Sequence, residues 1–220
     1  MNRRSGTDET TRNGSLAEHR SPLGDPEHPR VLPRAAGGQR ALLQLGDDRD
    51  LDWIADFGGI RYQLLSHRDE SGPSLDRIRT RFGSKLGCSA LEAPAVAGDA
   101  APIDLIFEEG ERSLEDIEII HTPGRTDGSI CIFCRAPAGK SYLFCGDTIF
   151  RWNARWATLV LRKAGGSEEA LLESLLRLRE LEPDVVLWSG FVGDVSFAVV
   201  TREEWTKAID DTAARLRRRG

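Results

Sequence analysis

The sequence predicts a mixed α/β domain with helices packed on the outer faces of one or two sheets. Three observations carry this. Short apolar segments come both as meanders and in β-α-β order. The 220 residues are 40% apolar, enough to bury one sizeable core. No internal repeat at solenoid periods breaks that picture.

The elements follow in order. Residues 1–39 hold four of the ten Pro, only eight apolar residues and no aromatic residue or Cys. Such a segment buries too little surface to offset its ordering entropy, so it reads as a disordered or loosely attached tail ahead of a domain at 40–220. His19 and His28 lie in it. Ala41–Leu45 reads as a strand. Asp47–Asp50 caps a helix with Leu51, Ile54 and Ala55 at helical spacing, ended by Gly58-Gly59. Ile60–Ser66 is a strand, Ser74–Phe82 a helix stopped by Gly83, and Lys85–Leu91, Pro102–Phe107 and Leu114–His121 are further strands. Gly128–Arg135 and Ser141–Gly146 flank a hairpin turn at Ala136–Gly139. Ser167 caps a helix with an apolar face of Leu171, Leu172, Leu175, Leu176 and Leu178. Asp184–Ser189 and Val195–Val200 are strands, and Thr201–Glu204 is a capping box opening a last helix.

Charge narrows the function classes. The net charge of −5 comes from 35 acids and 30 bases, interspersed along the chain, so no stripe for nucleic acid is expected. No apolar run approaches the roughly 20 residues that span a bilayer. Residues 1–30 lack the apolar core of a secretion signal. Four Cys in this length do not make a disulfide scaffold. The expectation is a cytoplasmic protein with no nucleic-acid or membrane partner. Cys131 and Cys134 have CxxC spacing, but on a strand they point to opposite faces and read as core and surface fillers.

Three strand ends carry polar residues: Ser66-His67-Arg68-Asp69-Glu70-Ser71-Gly72, His121-Thr122-Pro123-Gly124-Arg125-Thr126-Asp127-Gly128-Ser129, and Cys145-Gly146-Asp147-Thr148. In this order they resemble the loops of the metallo-beta-lactamase superfamily, including its glyoxalase II-like hydrolases. There a strand ends in His-x-His-x-Asp-His, a second in Pro-Gly-His-Thr followed by Gly-Ser, a third in Gly-Asp and a fourth in Gly-His-Gly. The resemblance implies an αββα four-layer sandwich and one or two divalent metals, usually zinc, held at seven positions.

The departures from that pattern change the chemistry it implies. Carried over residue by residue, His67 is retained, Asp69 stands for the second His, Ser71 for the Asp and Gly72 for the last His of the first loop. Arg125 replaces the His of the second loop, Asp147 is retained, and Phe191 replaces the last His. Only His67, Asp69 and Asp147 can still coordinate a metal. Three protein ligands match the count of one catalytic zinc and fall short of two. Arg125 is cationic at any ordinary pH and repels a divalent ion; beside Asp69 and Asp147 it neutralises them instead. Phe191 then fills the space of the missing ligand and water. His67 is either a metal ligand or a hydrogen-bonded strand-end histidine; His121 lies four residues before the family ligand position, so the resemblance gives it no metal role unless it drifts in as a fourth ligand.

Three functions stand at this point. The first is a protein of this fold that has lost its metal centre and serves as a binding or structural module, with no cofactor. The second is a hydrolase with a reduced, mononuclear site holding zinc or another divalent metal, acting on a small ester or thioester. The third is an oligomer-forming accessory protein whose surface feature is the Trp152–Trp156 segment. A small molecule is the expected ligand of the first two.

Overall fold

The computed structural model describes residues 41–42, 48–56, 58–98, 102–110, 113–137, 139–189 and 196–218. The tail at 1–39, with His19 and His28, and the segment that carries Phe191 lie outside the described residues.

Twelve strands and five α-helices are formed among the described residues. They are β1 (Ala41–Leu42), α1 (Asp48–Asp56), β2 (Tyr62–Leu64), α2 (Ser74–Phe82), β3 (Lys85–Ser89), α3 (Ala93–Val96), β4 (Leu105–Phe107), β5 (Ser113–Leu114), β6 (Ile117–His121), β7 (Ile130–Arg135), β8 (Ser141–Phe144), β9 (Phe150–Trp152), β10 (Arg155–Ala157), α4 (Glu168–Arg179), β11 (Val185–Leu187), β12 (Phe197–Val199) and α5 (Arg202–Arg217). The four strands β1-β2-β3-β4 form one parallel sheet. A second, mixed sheet has the order β12-β11-β8-β7-β6-β5.

The two sheets face each other across one apolar layer. Tyr62, Leu64 and Phe107 of the first meet Ile117, Ile119, Ile130, Ile132 and Phe144 of the second. Strand alternation sends the other side chains outward. Cys131, Phe133 and Leu143 point to the opposite face, where Leu171, Leu175 and Leu178 of α4 and Trp205 and Ile209 of α5 cover them. On the far side, Leu65, Leu86 and Cys88 of the first sheet pack against Leu75 of α2 and Val96 of α3. α1 joins this layer, with Leu51 and Ile54 against Ile60 and Ile78. The layers are therefore helix, sheet, sheet, helix, as the family resemblance implied. Cys131 and Cys134 do point to opposite faces, but both are buried, so neither is a surface filler.

Helix ends match their sequence signals. Ser167 Oγ accepts from Ala170 N at 3.1 Å, and Thr201 and Glu204 close the capping box at the head of α5. α2 stops at Gly83, which is left-handed. One expected strand is two. Leu114–His121 is broken by a tight turn at Glu115-Asp116, with Glu115 at φ 57°. That turn carries no Gly or Asn to announce it. Instead, the Glu115 carboxylate accepts from the Tyr62 hydroxyl at 2.9 Å and pairs with Arg61.

The β9–β10 ribbon was not foreseen as an element. Its turn puts Asn153 and Ala154 at positive φ. Trp152 is exposed at its tip, whereas Trp156 stacks edge-on against both Trp188 and Trp205. Trp156 is thus a packing residue joining the ribbon to α5. No helix of the described residues is long and apolar enough to cross a membrane.

Candidate functional site

The three polar loops meet at one end of the sandwich. After β2 the chain makes a short 3-10 turn at Arg68–Glu70. Its hydrogen bonds begin at the carbonyl of His67, and the turn brings Asp69 Oδ2 to 4.0 Å from His67 Nε2. Two close approaches bring the other loops to it. Gly146 lies against the first loop with φ +52°, and a Cβ there would sit 1.9 Å from Ser66 Oγ. Gly124 (φ +141°) lies against α4, where a Cβ would come within 2.4 Å of Leu171. Ser174 Oγ donates to Pro123 O at 2.7 Å, and Leu161 N donates to Arg125 O at 2.8 Å. The Arg125 backbone is therefore clamped from two sides.

At the centre lies a guanidinium. Arg125 Nη2 donates to Asp69 Oδ2 at 2.6 Å, and its Nε donates to Asp147 Oδ2 at 3.3 Å. The Arg125 side chain is 8% exposed, Asp147 16% and Asp69 45%. Asp69 therefore marks the mouth of the cluster. Ser189, at the end of β11, donates its hydroxyl to Asp147 Oδ1 at 3.4 Å. Arg125 Nη1 is buried without a hydrogen-bond partner.

His67 sits beneath this ion pair. Ser66 donates both its backbone N–H and its hydroxyl to the Glu70 carboxylate, at 2.6 and 2.7 Å. Its one hydroxyl proton is thereby used, so Ser66 Oγ can only accept from His67 Nδ1, 2.9 Å away. On the other side of the ring, His67 Nε2 faces Asp147 Oδ2 at 3.4 Å. Both ring nitrogens thus face acceptors, which suits an imidazolium. Burial pushes the His67 pKa down, but the Glu70 and Asp147 carboxylates outweigh it and hold the value above the usual 6.5. Burial likewise pushes Asp147 up. The neighbouring His67 and Arg125 outweigh that and hold its carboxyl below the usual range.

The structure brings together His67, Asp69, Arg125 and Asp147. It places Ser71 directly after the 3-10 turn, with Oγ buried and unpartnered. His121 stays at the end of β6, its carbonyl accepting from Arg177 and its Nε2 buried without a partner. None of the hydrogen bonds or ion pairs of the cluster reaches it. Phe191 lies outside the described residues. The sequence assigns no role to Ser66, Glu70 or Ser189. The only sequence trace of the Ser66–Glu70 bond is its four-residue spacing across the turn.

The carboxylates at this centre already bond the Arg125 guanidinium. Among the described residues no group of three or more His, Cys, Asp and Glu is arranged to hold an ion. Asp69 and Asp147 each turn an oxygen to the Arg125 guanidinium, and the His67 ring lies between Ser66 Oγ and Asp147 Oδ2.

A second ion cluster lies beside the first. Glu92, wholly buried, accepts from Arg68 N at 3.0 Å, from Arg68 Nε and from Thr126 Oγ1. Arg68 Nη2 reaches Asp127, and Thr126 Oγ1 also meets Ser129 Oγ at 2.6 Å. This cluster ties the first loop to the second.

Comparison with known proteins agrees with this architecture. Residues 48–190 match the model of the metallo-beta-lactamase superfamily. A hydroxyacylglutathione hydrolase from Klebsiella pneumoniae subsp. pneumoniae is 25% identical over 126 residues, 56% of this chain and 44% of that protein. The match thus spans less than half of that relative's length. Among solved structures, a metallo-beta-lactamase from Cronobacter sakazakii, substituted in its HARLDQ motif, aligns with a TM-score of 0.61 at 16% identity, covering 86% of this chain and 88% of that one. ETHE1 from Myxococcus xanthus aligns with a TM-score of 0.58 at 18% identity, covering 82% and 84%. With its four-layer sandwich and its loops in the family order, this chain belongs to the metallo-beta-lactamase superfamily.

Proposed function

We propose that this chain is a metallo-beta-lactamase-fold protein in which an internal arginine–carboxylate cluster replaces the metal centre, and that it acts as a non-catalytic binding module for a small molecule. One observation carries the reading. The Arg125 guanidinium bonds both Asp69 and Asp147, two of the three residues that could still hold a metal. A buried pair of carboxylates needs a cation or a proton. Arg125 supplies the charge permanently, but it supplies no Lewis acid and lowers no water pKa. The half-exposed Asp69 favours a ligand with polar groups at that mouth.

Metal content tests this. The purified chain, exposed to zinc, ferrous iron and manganese and then desalted, is expected to hold no stoichiometric metal. Near-stoichiometric metal that is lost in a His67→Ala variant would overturn the proposal.

A second reading is a hydrolase with one metal at His67, Asp69 and Asp147. The convergence of these three residues and the similarity to a hydroxyacylglutathione hydrolase favour it. It requires Arg125 to leave both carboxylates. Thioester hydrolysis that depends on added metal would decide for it.

A further inference from the structure

Two of the four cysteines face each other across adjacent strands. The β7–β8 register pairs Ile132 with Phe144 and Phe133 with Leu143. One further step along that register sets Cys131 opposite Cys145, and both side chains lie in the same apolar cluster under α4 and α5. Cys145 N–H donates to Leu187 O of β11 at 2.8 Å. It therefore points away from β7, and Cys131 and Cys145 form the non-hydrogen-bonded type of antiparallel pair. In such pairs the Cα atoms lie about 4.5 Å apart, at the near end of the roughly 4.4–6.8 Å that a disulfide spans.

The other two thiols have no such partner. Cys134 faces the layer between the sheets, on the opposite face of β7 from Cys131, and burial pushes its thiol up to about 12. Cys88 lies in the first sheet's outer layer, where burial pushes its thiol up to about 11.

The pair also lies directly under the ion cluster. Cys145 precedes Gly146-Asp147 in the chain. Thr122, which leads into the Pro123-Gly124-Arg125 turn, donates its hydroxyl to Cys131 Sγ at 3.3 Å. A bond between the two sulfurs would fasten the strand end that carries Asp147 to the strand that follows the Arg125 turn.

We propose that Cys131 and Cys145 are a redox modification site, forming a reversible cross-strand disulfide with a hydroperoxide as the oxidant. Both thiols are wholly buried, so the oxidant reaches them when the covering helices open locally. The Cys131 sulfur then attacks a peroxide oxygen; the O–O bond breaks, and a sulfenic acid and one water form. The Cys145 sulfur then attacks the sulfenic sulfur; the S–O bond breaks, the S–S bond forms and a second water leaves. Two thiols and one hydrogen peroxide thus give one disulfide and two waters. A dithiol returns both thiols by exchange and is itself oxidised.

The test uses the full folded chain. It is treated with hydrogen peroxide, quenched, denatured in an alkylating reagent and mapped by peptide mass. Two of the four thiols should resist alkylation, one cross-linked peptide pair should contain Cys131 and Cys145, and dithiothreitol should restore all the thiols. In Cys145→Ser the cross-link should vanish and Cys131 should accumulate as its sulfinic acid, whereas Cys134→Ser should retain the cross-link. Four alkylatable thiols after peroxide treatment would overturn the proposal, as would a cross-link through Cys88 or Cys134. The wild-type map decides this even if a variant fails to fold. Metal content, which tests the proposed function, is a separate measurement.

Discussion

The Arg68 and Arg125 clusters are interleaved in sequence, yet they use their polar atoms differently. Arg68 lies between His67 and Asp69, and Asp127 lies two residues beyond Arg125. Around Arg68, the buried Glu92 is bonded by a backbone N–H, a guanidinium and a hydroxyl. None of the buried unpartnered atoms among the described residues belongs to that network. Around Arg125, one buried guanidinium nitrogen is unpartnered and His67, whose pKa its carboxylate neighbours raise, lies beneath; each cluster has one roughly half-exposed carboxylate, Asp127 and Asp69. A closed network of this kind ties loops together, and its value is structural. An open one retains polar capacity that the fold itself does not use. The difference explains why two arginine–carboxylate clusters of similar composition support different proposals.

The comparison breaks first at Glu92. Glu92→Ala leaves Arg68 and Thr126 without their buried partner and should destabilise the chain by about 3–5 kcal/mol, the usual cost of breaking a buried ion pair. By the common scaling for chains of this size, that is a fall of roughly 10 °C in Tm, read by thermal denaturation. A loss under about 1 kcal/mol would show that the closed network is not a structural tie.

Arg125→Ala should cost less, about 2 kcal/mol, because the half-exposed Asp69 can be hydrated once its partner is gone. Arg125→Lys should recover little of it, since an ammonium cannot reach two carboxylates through a planar fork. An unchanged Tm in Arg125→Ala would remove the internal ion cluster from the account.

The pH dependence sharpens the contrast further. The folded His67 pKa lies above 6.5, so its contribution is complete below that pH and is lost as pH rises through the folded value. The folded Asp147 pKa lies below 3.8. Its contribution is present above that pH and is lost as pH falls through the folded value. The Tm difference between wild type and His67→Gln should therefore be largest in mildly acidic buffer and shrink toward alkaline pH. A difference that is flat across that range would show that His67 is not held charged.

The smallest effect is expected at the mouth. Asp69→Asn removes a half-exposed partner and should change stability by under about 1 kcal/mol. It should nevertheless weaken any ligand that enters beside Arg125. A loss as large as that of Glu92→Ala would place Asp69 inside a closed network after all.

Most elements were legible because their signals are local. The capping residues of α4 and α5 and the Gly83 stop of α2 act within a turn of their own helices. The break at Glu115-Asp116 was illegible because the contacts holding it, from Tyr62 and Arg61, come from the other sheet. The loop resemblance placed His67, Asp69, Arg125 and Asp147 in one site. It could not show that Ser66 and Glu70 would complete the hydrogen bonding of His67, or that Ser189 would reach Asp147.

The sequence by itself determined the class of layers, the periodicity of each strand and helix, and the presence of a permanent cation, a guanidinium, at position 125. Only the tertiary structure decided what that guanidinium bonds, which carboxylate is closed in with Arg68, and which two of the four cysteines meet. The reason is range. A period of two or 3.6 residues is written between neighbours, whereas Arg125 and Asp69 are 56 positions apart. Their meeting depends on strand order, on register and on glycines that let three loops close over one another.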